Sequence, residues 1–224
     1  MGWIRIANNL RYYVYAVPSV GRLYSCDNDR RENYELDPDT LLVINTVLSV
    51  SNQPTGIGGI SARLYGCDNT INDNYELDLD TLLVINTVDS MHITPTGIGG
   101  TSSRLYHCDN FTEKNYELDP DSLLAINAVD AVSLCTGIGG INARVYSSDY
   151  NLGKNYELDP DSLLVINSVD SPGELGFGIG GTGTRLYHCE DISNNYYELD
   201  PDTLLVINTV AGPYLKPWGI GGTK

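Results

Sequence analysis

Helical periodicity is the first thing this 224-residue chain lacks. Apolar residues do not recur every three to four positions, and Pro and Gly stand where a helix would break, so helical repeats are excluded. No apolar run is long enough to cross a bilayer as a helix. The opening Met1-Gly2-Trp3-Ile4-Arg5-Ile6 lacks a signal-peptide apolar region and lacks the Ser or Thr that a myristoylation signal carries at its sixth residue. Basic residues are few: 13 Lys and Arg stand against 29 Asp and Glu, a formal net charge of −16. That balance argues against nucleic-acid phosphates and anionic membranes as partners. Most of the acid recurs at fixed positions and reads as a solubilising framework.

Cysteine is present but not in a form that pairs. Cys26, Cys67, Cys108 and Cys189 share one repeat position, where the remaining copy has Ser148. Equivalent positions on stacked sheets lie about 10 Å apart, and a disulfide needs Cα atoms within about 7 Å. These four are expected to be free thiols acting as small buried apolar groups, with Cys135 alone in a loop. An all-thiol set points to a reducing compartment, the cytoplasm.

What the chain has is a repeat. Asn-Tyr-Glu-Leu-Asp-Pro-Asp-Thr-Leu-Leu-Val-Ile-Asn at 33–45 returns with few changes at 74–86, 115–127, 155–167 and 196–208. Each copy reads as a hairpin: strand formers on either side of a turn in which Pro presets φ and Asp accepts from the backbone ahead of it. The Arg that opens each unit recurs at Arg22, Arg63, Arg104, Arg144 and Arg185, in steps of 41, 41, 40 and 41. A period near 40 built from several short strands is a β-propeller signature.

One unit reads as strands at 22–26, 33–37 and 41–47, followed by Gly-Ile-Gly-Gly at 56–59 as the innermost strand of the next unit. Glycine in a strand marks close backbone approach, which suits the axis of a propeller. No Lys-Ser/Thr and no helix follows the glycines, so a phosphate cradle is disfavoured. The last Gly-Ile-Gly-Gly, 219–222, comes after the fifth unit, whereas none precedes the first. The expectation is an all-β, single β-propeller domain spanning 1–224, with five four-stranded blades and the N- and C-terminal segments closing the ring in one blade. Six blades is the alternative. Residues 1–21 fall outside the pattern, with two strands possible around Asn8-Asn9.

The order Asn-Tyr-Glu-Leu-Asp-Pro-Asp-Ser-Leu-Leu-Ala-Ile-Asn, then Gly-Ile-Gly-Gly, with Arg-Leu-Tyr-His-Cys-Asp at 104–109, resembles the blade of YVTN/SMP-30-type (NHL-like) propellers. The resemblance covers 22–222 and implies the fold rather than a chemistry. Calcium-dependent lactonases in that wider group use single acids at the channel mouth, and no unique acid of this sequence maps onto them.

Comparison of the five units separates two faces. The Asp-Pro-Asp turn barely changes, whereas the loops after the second strand (28–32 and equivalents) and after the outermost strand (48–54 and equivalents) change at most positions. In an up-and-down blade both variable sets lie on one face, and loops on a rigid scaffold are where binding residues sit. Candidate binding residues are Met91, His92, Phe111, Tyr150, Phe177, Tyr214 and Trp218. The residue before Gly-Ile-Gly-Gly is Thr55, Thr96, Thr136, Phe177 and Trp218, so two adjacent units place a large aromatic where the others place Thr.

Catalysis is not the expectation. Glu35, Asp37 and Asp39 recur in every unit, which fits pairing with Arg22 and turn capping better than general acid work. His107 and His188 each precede Cys, and adjacent strand residues face opposite ways, which disfavours a metal site. No cofactor is implied. The function expected is a non-enzymatic scaffold for a protein or glycan. The alternatives are a five-bladed lectin with repeated inter-blade sugar pockets lined by Tyr24 and Asn33 equivalents, and a calcium-dependent lactonase-like hydrolase.

Overall fold

The computed structural model describes residues 3–5, 11–13, 21–90, 94–173, 175–212 and 216–224. Five four-stranded antiparallel sheets stand around one axis as a five-bladed β-propeller. The first blade runs outward as Pro217–Gly222, Leu23–Asp27, Glu32–Leu36 and Val43–Leu48. The second is Pro54–Ile60, Arg63–Asp68, Asp73–Leu77 and Val84–Asp89. The third is Pro95–Gly100, Leu105–Asp109, Lys114–Leu118 and Ala125–Asp130. The fourth is Cys135–Ile141, Arg144–Asp149, Lys154–Leu158 and Val165–Asp170, and the fifth is Gly176–Thr182, Arg185–Glu190, Asn195–Leu199 and Val206–Ala211.

Ring closure is made by the C-terminus. Pro217–Gly222 pairs antiparallel with Leu23–Asp27, Ile220 opposite Ser25. Trp3–Arg5 and Arg11–Tyr13 pair with each other instead and form a separate two-stranded sheet. Residues 14–17, the rest of the expected N-terminal strand, lie outside the described residues.

The Gly-Ile-Gly-Gly segments form the walls of the axis. A Cβ on Gly97 would lie 2.8 Å from the Gly137 Cα, and one on Gly219 would lie 3.0 Å from the Gly56 Cα. Backbones at that separation leave no room for a side chain, so the strand tolerates the entropy cost of glycine for the sake of contact. The hydrophobic core lies between blades. Tyr187, Cys189 and Tyr196 of the fifth blade, for example, pack on Leu23, Tyr34, Leu36 and Ile220 of the first.

The Asp-Pro-Asp turn is an Asx-type cap. Asp37 Oδ1 accepts from the Asp39 and Thr40 amides at 3.0 and 2.7 Å and from the Thr40 hydroxyl at 2.9 Å. These bonds favour the ionised form and hold the Asp37 carboxyl below its ordinary pKa. The turn runs further than the sequence suggests. Leu41 and its four equivalents take left-handed backbone, φ 56–59°, and their side chains are buried. The outermost strand therefore starts at Val43 rather than at 41, and Leu42 and Ile44 face solvent.

Candidate functional site

In the second and third blades the acid ending the second strand organises the variable face. Asp109 Oδ1 accepts from the Phe111 and Thr112 amides at 2.9 and 2.7 Å, and its Oδ2 accepts from the Thr94 amide at 3.0 Å. Asp68 does the same for Thr70, Ile71 and Gln53. One carboxylate thus ties the loop after the second strand to the loop entering the innermost one. In the first blade burial outweighs the Arg30 amide and the other groups that favour the Asp27 carboxylate, and pushes its pKa up to about 6.

With that acid fixed, the next residue is set at the mouth of the axis. This position is Asn28, Asn69, Asn110, Tyr150 and Asp191 in blade order. Beside it lie the residue before Gly-Ile-Gly-Gly and the one two places earlier. Ten residues at these positions line a pocket of about 320 Å³. Its lining divides by chemistry. The second and third blades contribute the amides Asn69 and Asn110 with Thr96; the fourth, fifth and first contribute Leu134, Tyr150, Leu175, Phe177 and Trp218, with Thr136 and the acid Asp191.

The aromatic wall is packed. Phe177 and Trp218 stack at 4.6 Å between centroids and 25° between planes, and Tyr150 meets Phe177 at 5.3 Å and 55°. Phe177 is buried and Trp218 half-buried. The Trp218 indole N–H is shielded from solvent and has no hydrogen-bond acceptor among the described residues.

The three threonines at the position before glycine have a structural task. Thr55 Oγ1 donates to the Pro95 carbonyl, Thr96 to Cys135 and Thr136 to Gly176, at 2.7, 2.8 and 2.8 Å. Each bond links one blade to the next. Phe177 and Trp218 interrupt this ring and exchange two hydrogen bonds for a stacked pair. The sequence marks the interruption, and the structure shows what it builds.

Of the seven candidate residues, Tyr150, Phe177 and Trp218 are brought together here. Phe111 is 66% exposed and does not line the pocket. Met91, His92 and Tyr214 lie outside the described residues. Asn69, Asn110 and Asp191 were missed; aligning the residue after Asp68, Asp109 and Glu190 across the units would have found them, because Tyr150 holds the same position.

Asp191 is an acid at the mouth with no acidic counterpart at this position in the other units. Burial raises its pKa, partly offset by Lys216, which pairs with Asp29 at 3.2 Å. A calcium ion takes six to eight oxygen ligands, carboxylates prominent among them. One carboxylate and two amides from three blades, beside an aromatic wall, do not fit that demand. Among the described residues no three His, Cys, Asp or Glu come close enough to hold a metal. The repeated acids are engaged elsewhere: Glu117 accepts from Arg104 Nε and Nη2, both at 2.6 Å. Tyr24 and Asn33, the positions considered for inter-blade sugar pockets, are buried.

No protein family matches the chain, and no curated protein matches its sequence. Solved structures share its architecture. A glutaminyl cyclase of Myxococcus xanthus superposes with a TM-score of 0.63 at 15% identity over 71% of this chain and 70% of its own. A structure of a nidogen/laminin complex gives 0.60 at 14% identity over 96% and 89%. A Bacteroides caccae protein of unknown function gives 0.61 at 9% over 92% and 100%. At these identities the likeness shows the propeller fold alone.

Proposed function

We propose that this propeller is a non-enzymatic binding scaffold that engages one partner, a protein or glycan, at the axial mouth of its variable face. The observation that carries the reading is the two-sided pocket, with amides on one half and a stacked aromatic wall on the other. A rigid aromatic wall loses little side-chain entropy on binding, and such residues dominate contact energies. The asymmetry favours one partner seated across the axis over five equivalent ligands. The repeat's resemblance to YVTN/SMP-30-type blades is compatible with this, since it concerns the framework and not the mouth.

The test is capture on a glycan array and a protein array by three forms of the chain. These are the unchanged protein, one with scrambled variable loops at 69–73 and 110–114, and one with matched changes in the Asp-Pro-Asp turns. Signal lost only on the first set of changes supports the reading. Equal loss on both faces removes it.

A further inference from the structure

We infer that the mouth pocket takes a single uncharged, polyhydroxylated ring: a monosaccharide, or the terminal unit of a glycan. This rests on the binding role above and adds the chemistry of the ligand. A pocket of about 320 Å³ stands at the small end of ligand sites, which run from roughly 300 to 1,000 Å³. A sugar ring presents an apolar C–H face and a rim of hydroxyls. The pocket offers the counterpart of each: the wall of Tyr150, Phe177 and Trp218 for the face, and the amides of Asn69 and Asn110 for the rim. An amide both donates and accepts, as a hydroxyl does, so each can satisfy the other.

Charge narrows the class further. Among the described residues no Lys, Arg or His lines the pocket, and the chain carries −16, so an anionic ligand finds no counter-charge among them. A quaternary ammonium would suit an aromatic wall, but it neither donates nor accepts hydrogen bonds, which leaves the amides of Asn69 and Asn110 unmatched. Nor is a cation without competition: Asp191, the one acid among the described lining residues, already feels the charge of Lys216. The mixed lining occurs once around the axis, so one ligand per chain is expected.

The experiment uses the full chain carrying Trp3→Phe, which leaves Trp218 as its one indole, with the unchanged chain in parallel. Glucose, galactose, mannose, N-acetylglucosamine, N-acetylneuraminate and choline are each titrated against indole emission, and native mass spectrometry counts what is bound. The expected result is a saturable change with at least one neutral sugar, with Kd on the order of 1 mM, one molecule per chain, and a loss of at least about tenfold on Asn110→Ala and on Phe177→Thr. A response confined to choline or N-acetylneuraminate, five sugars per chain, an affinity unchanged by both substitutions, or silence at about 50 mM of every neutral sugar would overturn it. If array capture still depends on the variable face in that event, only the ligand class falls; if it does not, the binding role falls too.

Discussion

Arg185 Nη1 donates to Asp39 Oδ1 at 2.6 Å across 146 residues of sequence. The bond joins the fifth blade to the first. The same link runs from Arg22 to Asp80, Arg63 to Asp121, Arg104 to Asp161 and Arg144 to Asp202. Each Arg also grips the Glu of its own blade. The near-constant face is therefore a closed belt of Glu, Arg and the next blade's Asp. It explains why the Asp-Pro-Asp turn hardly varies.

The two halves of this belt differ in strength. Asp161 is largely exposed, and such pairs contribute about 0–1 kcal/mol. Glu117 is shielded and accepts two charged hydrogen bonds, so weakening it should cost about 1–3 kcal/mol. In urea unfolding, Glu117→Gln is expected to lower the midpoint clearly and Asp161→Asn to leave it nearly unchanged. The reverse order would contradict the assignment.

Removal of 218–224 takes away most of the strand that completes the first blade. It exposes the edge of Leu23–Asp27 and uncovers the inner strands of the second and fifth blades that pack against the lost strand. A lower melting temperature with aggregation is expected. A truncated chain that melts like the full one would show that closure is dispensable.

All five cysteines are buried and unpaired. Burial pushes the Cys67 thiol up to about 12, so little thiolate exists at neutral pH. Alkylation followed by intact mass should be slow in the folded protein and rapid in denaturant. A disulfide among Cys26, Cys67, Cys108 and Cys189 would be incompatible with the blade geometry.

Stability should fall on acidification, for a stated reason. Burial lowers the His188 pKa from 6.5 to about 3. Below 6.5 the unfolded chain takes up a proton that the folded chain refuses, so this contribution is full above 6.5 and is lost as pH falls toward 3. Asp27 opposes it. With its pKa raised from 3.8 to about 6, its contribution is present below 3.8 and is lost as pH rises through 6. His188→Ser, which installs the residue found at Ser25 and Ser147, should flatten the acid limb of urea midpoint against pH. Asp27→Asn should steepen it.

The fold was legible because the repeat reports it five times over. The Arg spacing set the period, and the unmatched final Gly-Ile-Gly-Gly pointed to closure. Strand ends were less legible: Leu41 looks like the start of a strand but sits in left-handed backbone, held there by its burial. At the site, Phe177 and Trp218 could be found because they break a rule set by Thr55, Thr96 and Thr136. Asn69, Asn110 and Asp191 break no rule of composition. What brings Asn69 and Asn110 to the mouth is the carboxylate of the preceding residue bonding two loops at once, a tertiary effect that no single unit displays.

The central claim is that the aromatic wall binds rather than plugs, and Phe177→Thr with Trp218→Thr in one chain tests it most directly. The new hydroxyls would lie toward the carbonyls of Pro217 and Pro54, completing the ring begun by Thr55, Thr96 and Thr136. Melting temperature and array capture are measured on the same preparation. The account predicts capture lost with a small change in melting temperature. Capture retained with a large fall in melting temperature would make the pair a plug and contradict the account.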